Sequence, residues 1–527
     1  SVRNSYESIA GQINVEYKKP STSEKFYMNG FISNAGRKEV NANASLLLSN
    51  RLSTMVMAHA EQQRNGNDHN HDGFRDEPDI RQYNFLNRWD YMTERLTFRA
   101  GIKVLEEERT GGQFTFHEGN QDTWSDGFGI KINTRRLEGF TKLGGVFSEN
   151  NSMSIGWIQN FNYHDQDSWF GEREYSGLQK AYYSNLLYQW NPRQGKHSFD
   201  AGFSYKYDRY DEALSQISFG RKESVPGLFA QYTYTDSARM TAIAGIRTDF
   251  HNLYGTLVTP RIHLRYVIND QLTLRASAGK GFRSGNVLAE KSFLLASSRS
   301  INIPDNLDIE EAWNTGMSLT GTVPYGEKTL RLSAEVFRTS FLRQIITDLD
   351  AGTDEVKFYN LDGKSYSNIF QIEASSMIFE GFDLLAAWRW NDVKMTIDGL
   401  LREKPLASRY KGLLTASWLT HLRKWQFDYT LQLNGPGRIP STASNPEHYR
   451  MAESFDPYTV MNAQVTYNFR KWNVYIGSEN LTDFRQPHPI IASDDPFGEY
   501  FDSGLIWGPV HGRKIYAGFR VFFNRDV

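Results

Sequence analysis

The chain has 527 residues, is 14% aromatic, carries a formal net charge of −2 and contains no cysteine. Near-balanced charge gives no electrostatic footprint for nucleic acid, and the lack of cysteine excludes a thiol nucleophile while suiting an exported chain. Mean hydropathy is −0.57, and no apolar run approaches the ~18–20 residues of a membrane helix; a barrel stays open, because only alternate residues of its strands face lipid.

The length exceeds the ~250–300 residues at which a single core stops growing, so two soluble domains would be the default. The residue pattern argues otherwise. No charged-then-apolar leader opens the chain at Ser1-Val2-Arg3, which reads as a mature or trimmed piece. Past residue 20 the dominant signal is period two. A short turn at Ser49-Asn50-Arg51 precedes Met55, Met57 and His59, which share one strand face. Two thioethers and an imidazole there are soft ligands of the kind that select copper; the plainer reading is apolar methionines on the barrel wall.

The sharpest local motif follows, Asp68-His69-Asn70-His71-Asp72-Gly73-Phe74-Arg75-Asp76-Glu77-Pro78-Asp79. It has the spacing of a calcium loop: oxygens of Asp68, Asn70 and Asp72, the Phe74 carbonyl, then Asp76 and Asp79, with Gly73 permitting the sharp turn. Asp79 replaces the usual bidentate Glu. A structural calcium that rigidifies an outer loop is the expectation, against a solvated acidic loop as the plain alternative.

Polar stretches around 61–82, 109–127, 163–177, 281–308, 434–458 and 484–512 read as long extracellular loops. Turns at Ser49-Asn50-Arg51, Asn191-Pro192-Arg193, Asn269-Asp270 and Arg423-Lys424 read as short periplasmic ones. Trp157, Tyr163, His164, Trp169 and Phe170 fall around one expected outer loop, and His448, Tyr449 and Arg450 in another. Such side chains can stack on or hydrogen-bond a flat ligand. Arg261, Arg265, Arg275 and Arg283 sit on the polar phase of successive strands, with Lys280 beside them. They are candidates for a basic luminal stripe facing a plug or an anionic ligand.

Toward the C-terminus Met461, Ala463, Val465, Tyr467 and Phe469 alternate with polar residues, an Arg470-Lys471 turn follows, and Trp472, Val474 and Ile476 resume the pattern. The last strand alternates Ile515, Ala517, Phe519, Val521 and Phe523 with Lys514, Tyr516, Gly518, Arg520 and Phe522. One set suits lipid and the other a wet lumen, and 28 Tyr, 34 Phe and 12 Trp suit aromatic girdles at the two interfaces. The fold expected is all-β: a large antiparallel transmembrane β-barrel of roughly 20–24 strands, so wide that it needs a plug. A soluble β-sandwich is the rival, disfavoured by the Arg and Lys that recur on the polar face. No Gly-x-Ser-x-Gly elbow with partners and no phosphate loop occurs, so no enzyme is expected.

Several blocks resemble TonB-dependent outer-membrane receptors, in wording most of all those of the Bacteroidetes group. Residues 1–20, with Gly11-Gln12-Ile13-Asn14-Val15 and then Lys18-Lys19-Pro20, look like the end of a plug domain and its connection to a barrel spanning 21–527. Thr259-Pro260-Arg261, Gly279-Lys280-Gly281-Phe282-Arg283, Glu310-Glu311-Ala312-Trp313-Asn314, Asn360-Leu361-Asp362-Gly363, Glu479-Asn480-Leu481-Thr482-Asp483 and Trp507-Gly508-Pro509 follow in order. The resemblance implies a barrel of about 22 strands in the outer membrane, importing a scarce nutrient with energy relayed by TonB. A metal chelate such as cobalamin, haem or a siderophore is the expected small-molecule ligand. Outer-membrane lipid and the TonB complex are the implied partners, the latter through plug segments upstream of Ser1. A surface lipoprotein, which caps related receptors, is a further candidate. A scaffold subunit of a larger outer-membrane complex and a copper importer are the alternatives. One departure is that the last strand runs past Phe523 into Asn524-Arg525-Asp526-Val527, whereas family barrels usually end on the aromatic.

Overall fold

The computed structural model describes residues 2–7, 9, 15–64, 66–116, 127–148, 152–192, 195–236 and 239–523. Twenty-two antiparallel strands, Phe26–Ser33 through Lys514–Phe523, close into one barrel. Consecutive strands are neighbours all the way round, and closure comes from the two ends: Phe26 lies opposite Phe523 and Ile32 opposite Ala517. Closure satisfies the backbone groups that an open edge would leave bare in lipid.

The alternation in sequence is the alternation of faces. Ile515, Phe519 and Phe523 are exposed on the outer wall, as are Trp472, Val474 and Ile476 on the neighbouring strand. Connections at one rim are short: 48–51, 93–95, 270–271, 326–327, 380–381, 420–424 and 469–471 among them. At the other rim the long ones gather: 64–78, 113–128, 284–309, 344–364, 398–409, 435–457 and 480–513. Three of the expected short turns are short as read; the fourth spans 191–196, with Arg193 outside the described residues. The Asn524–Val527 extension also lies outside them.

One expected loop is absent. Residues 163–177 form the top of a strand pair, Met153–Phe170 and Arg173–Trp190, joined only through 171–172. Each strand has 18 residues, against the ~9–11 that cross a bilayer, so the hairpin stands proud of the membrane. Its upper half is polar on both faces and reads as loop. Conversely, 344–364 and 398–409 are outer loops that sequence reading passed over, because Ile345, Ile346, Leu349, Leu400 and Leu401 give them a strand-like apolar content.

Those apolar residues build a layer over the barrel mouth. Leu294, Leu349, Val356, Phe358, Ile439, Phe455, Ile491, Ala492 and Leu505 pack as one buried cluster drawn from four loops. Burying side chains of this kind stabilises by about 1.5–3 kcal/mol each, enough to hold loops that would otherwise be mobile. Arg299, 1% exposed, ties the layer: its Nε donates to Asp502 Oδ2 at 2.9 Å, and its Nη1 donates to the carbonyls of Gly352 at 2.6 Å and Glu355 at 3.1 Å.

Candidate functional site

The mouth and the lumen beneath it are the parts of the barrel that can hold a ligand. A recess of about 870 Å³ lies outside them. Its lining includes Leu319, Leu332 and Ile372, all exposed on the outer wall, so it belongs to lipid.

In the lumen, described residues 2–7 form a turn-rich segment against the wall. Val2 and Tyr6 are buried. Arg3 pairs with Asp200 at 3.4 Å, and Glu7 accepts from Lys206 Nζ at 2.7 Å. Backbone carbonyls are met too: Asn185 Nδ2 donates to that of Arg3 at 2.7 Å, and Phe282 N to that of Tyr6 at 3.1 Å. Lower down, Arg88 Nη1 donates to the carbonyls of Tyr17 and Lys18. The Gly11–Asn14 part of the plug-like block lies outside the described residues.

The residues holding this segment are therefore Asn185, Asp200, Lys206 and Arg247 with Arg88, which sequence reading did not single out. The arginines of the expected stripe lie on the inner phase of their strands. Arg261 and Arg265 alternate with outward Ile262 and Tyr266, and Arg265 lies opposite Arg275. Arg283 sits at the rim, paired with Glu290 and, at 3.0 Å, with Glu310. Glu311 takes Lys280 and Arg343. The two sequence blocks Gly279–Arg283 and Glu310–Asn314 are thus charge partners across one strand pair.

Met55, Met57 and His59 do share a face, and it is the inner one: Met55 is 0% exposed, while Val56 between them is exposed on the outer wall. These methionines therefore do not face lipid. His59 Nδ1 lies 2.7 Å from Asn41 Oδ1 and its Nε2 3.6 Å from Glu61, so its nitrogens face hard oxygen groups rather than sulfur.

The ligand-surface aromatics divide. Trp157, Tyr163, His164, Trp169 and Phe170 lie on one strand, not around a loop. Trp157 is exposed on the outer wall, donating Nε1 to Ser184 Oγ at 2.9 Å. Tyr163 faces Lys180, whereas the adjacent His164 belongs to the opposite phase of the strand. Phe170 is buried against Tyr175, Leu288 and Leu295. Period two separates what sequence proximity suggested was together. His448, Tyr449 and Arg450 are at the mouth as expected: Tyr449 donates its hydroxyl to the Asp494 carboxylate at 3.0 Å, which pushes the phenol above its ordinary range, and Arg450 Nε donates to the Asn445 carbonyl at 2.8 Å.

The acidic loop is curled by its own first residue. Asp68 accepts from the backbone N–H of Asp72 at 3.2 Å and of Gly73 at 2.9 Å, and Gly73 has φ +82°, a left-handed conformation that glycine adopts without penalty. Asn70 Nδ2 donates to Asp72 Oδ2 at 2.7 Å, and Asp72 Oδ1 accepts from Phe74 N at 2.9 Å. Burial pushes the Asp72 carboxyl up, and the charges of Asp68 and Asp76 push it the same way. So Asp68 is bonded to the backbone of the curl and Asn70 to the Asp72 carboxylate. Asp76 is turned to His69 instead, and Asp79 opens the strand Asp79–Met92 opposite Thr110. The Phe74 ring is buried on Phe128 and Phe501, centroids 6.3 and 5.9 Å away, anchoring the loop to two others.

The Glu479–Asp483 block makes the turn out of the penultimate strand. Asn480 and Asp483 have φ +50° and +54°, which Asn and Asp tolerate. Asn480 Nδ2 donates to the Phe484 carbonyl at 2.7 Å, and Asp483 Oδ1 accepts from Arg513 N at 2.7 Å, closing the loop on itself.

Residues 51–481 match the family model described as TonB dependent receptor-like, beta-barrel. The chain belongs to the TonB-dependent receptor family. As a family member it is an outer-membrane receptor of the transport class, and the family is not one of enzymes. Among solved structures the receptor is similar to the siderophore receptor PirA from Pseudomonas aeruginosa, at 13% identity and a TM-score of 0.67, over 96% of this chain and 81% of that one. A variant of the ferric enterobactin receptor PfeA from the same organism, solved with enterobactin, matches at 12% and 0.71 over 95% and 82%. The alcaligin receptor FauA from Bordetella pertussis matches at 13% and 0.63 over 96% and 76%. At such identities the likeness is one of fold. No curated protein matches the chain.

Proposed function

We propose that this receptor imports a metal chelate, of the siderophore, haem or cobalamin class, across the outer membrane. The observation that carries the reading is the combination of a lumen crossed by a polar-bonded inner segment and a packed loop layer at the mouth. The segment is attached mainly through ion pairs and single hydrogen bonds, Arg3–Asp200 and Glu7–Lys206 among them, with one apolar anchor, Tyr6, packed on Val225, Leu257, Phe282 and Ile309. Polar groups of this kind can take water as a replacement partner once the segment moves, which suits a plug that must shift. Residues 1–20 are then the end of the plug, and 21–527 the barrel. The similar structures PirA, PfeA and FauA are receptors for siderophores by their own descriptions, which supports the ligand class.

The acidic loop in this reading binds calcium through Asp68, Asn70 and Asp72, with the Phe74 carbonyl, Asp76 and Asp79 completing the shell. Hard oxygen donors at alternate positions suit Ca2+, and the raised Asp72 carboxyl is the state that a cation would relieve. A surface lipoprotein would dock on the long-loop rim.

The test is uptake by cells carrying the full-length receptor, with labelled ferric siderophores, haem and cobalamin as separate probes. One class should accumulate saturably, and accumulation should vanish without TonB. Equal accumulation in receptor-deleted cells for every probe would overturn the chelate reading.

A further inference from the structure

We propose that His69, Asp76 and His511 form a binding site for a divalent transition-metal ion, Zn2+ by its ligand chemistry, that clamps loop 64–78 to loop 480–513. One ligand atom from each residue lies within 4.8 Å of the other two. The residues come from opposite ends of the chain, and the rings of His69 and His511 meet edge to face at 5.4 Å.

The hydrogen-bond pattern is that of a metal shell with one member missing. His511 is 7% exposed. Its Nδ1 faces the Gly512 carbonyl at 3.1 Å, where it donates, so the lone pair is on Nε2. That Nε2 is buried and has no hydrogen-bond partner among the described residues. Metal-bound histidines are oriented in this way, one ring nitrogen held by a carbonyl and the other on the ion. A buried acceptor left empty is destabilising, because it has given up water for nothing, and a cation removes that cost. On the other side Asp76 Oδ2 meets His69 Nδ1, and Asp76 N donates to the Asn67 carbonyl at 3.0 Å, setting the residue in place. A plain His69–Asp76 hydrogen bond would account for those two residues and leave His511 Nε2 unexplained.

Ligand chemistry selects the ion. Two imidazoles and one carboxylate suit Zn2+ and its transition-metal neighbours, whereas Ca2+ takes oxygen ligands and binds imidazole poorly. Three protein ligands leave a fourth position for water or for a group from a partner. The surroundings are firm enough to hold the geometry: Phe74 anchors the first loop on Phe128 and Phe501, and Lys514 is paired with Glu77 beside it. The site shares Asp76 with the calcium shell proposed above but takes its imidazoles from His69 and His511, which that shell does not use, and it does not depend on what the receptor imports.

The experiment uses the full-length receptor in detergent, stripped with chelator, titrated with Zn2+ against a competing chromophoric chelator, with X-ray absorption on the loaded protein. One ion per chain should bind, with two imidazoles in its shell. His69→Ala and His511→Ala should each weaken binding by more than about 100-fold, while His448→Ala, in the neighbouring loop, leaves it unchanged. Should His511→Ala lose the heat-modifiable gel shift of a folded barrel, His69→Ala, a change at a partly exposed side chain, carries the test. Equal affinity in wild type and His69→Ala, or a shell without imidazole, would overturn the proposal.

Discussion

Arg299 and Asp502, 203 positions apart in sequence, meet through a 2.9 Å hydrogen bond from Nε to Oδ2 in a part of the loop layer that water does not reach. Nη1 of the guanidinium donates to backbone carbonyls of a third loop. Arg299→Ala should therefore open the layer without opening the barrel. Removing one partner of a buried ion pair costs about 3–5 kcal/mol, and hydrogen exchange should accelerate in 284–309, 344–364 and 480–513 together. Arg299→Lys should rescue little, since a point ammonium cannot serve a carboxylate and several carbonyls at once. Exchange confined to one of the three loops would contradict this.

Phe74→Ala should release the acidic loop from Phe128 and Phe501. A buried Phe→Ala change costs about 3–5 kcal/mol, here spent locally. Trypsin cleavage at Arg64 or Arg75 should rise sharply while the barrel keeps its heat-modifiable migration. Unchanged cleavage would mean that Asp68 alone holds the curl.

Lys291, which follows the short helix Val287–Glu290, is pushed below its ordinary range, first by burial and then by Arg283, with Glu310 opposing. Lys404 is lowered by burial and by Lys291 in turn. The sign is set by linkage. A lysine that loses its proton more easily when folded makes the folded layer bind fewer protons than the unfolded chain. Stability then rises with pH from the folded value up to the ordinary lysine value near ~10.4. The loop layer should resist protease better as pH increases through that window, and Lys291→Met should flatten the profile. A profile that falls with pH would refute the assignment.

Ile476 faces lipid at 57% exposure, one residue beyond Tyr475, which points inward and donates to Asn29 Oδ1 at 2.9 Å. Ile476→Arg should cost about 2–4 kcal/mol if the residue lies near the bilayer midplane, read from unfolding in lipid vesicles. Asn29→Arg, on the lumen side, should cost far less. Equal costs would mean that the two faces were exchanged.

The barrel was legible because its signal is periodic and local. Ile515 to Phe523 alternate, and nothing in that stretch competes with a strand. The upper strands were not legible: between Tyr163 and Gly177 polar residues occupy both phases, and Ser168, Phe170 and Tyr175 are buried by loops rather than set against lipid, so the alternation that marks a membrane strand disappears although the backbone ladder continues. The missed loops failed for the opposite reason. Ile346 and Ile397 are buried in one cluster above the membrane, and burial there looks in sequence like burial in a wall. At the site, the acidic curl from Asp68 to Gly73 could be read directly, since spacing and φ requirements are local. His511 could not. Its neighbours Trp507-Gly508-Pro509 were noticed, but nothing in the local sequence tells that its ring ends beside His69.

Every strand of the barrel has its sequence neighbour as its spatial neighbour, except at one seam, where Phe26–Ser33 meets Lys514–Phe523. Hairpins can zip one after another as the chain is delivered, each closing a short loop at modest entropic cost. The seam closes a ring of nearly the whole chain and has no hairpin to guide it. Until it forms, two bare ladders stand open, each able to capture another chain's strand. The ordering of assembly is thus written into the connectivity: the first strand has to be kept in waiting while all the others arrive, and any factor that cradles it sets the yield of finished barrels.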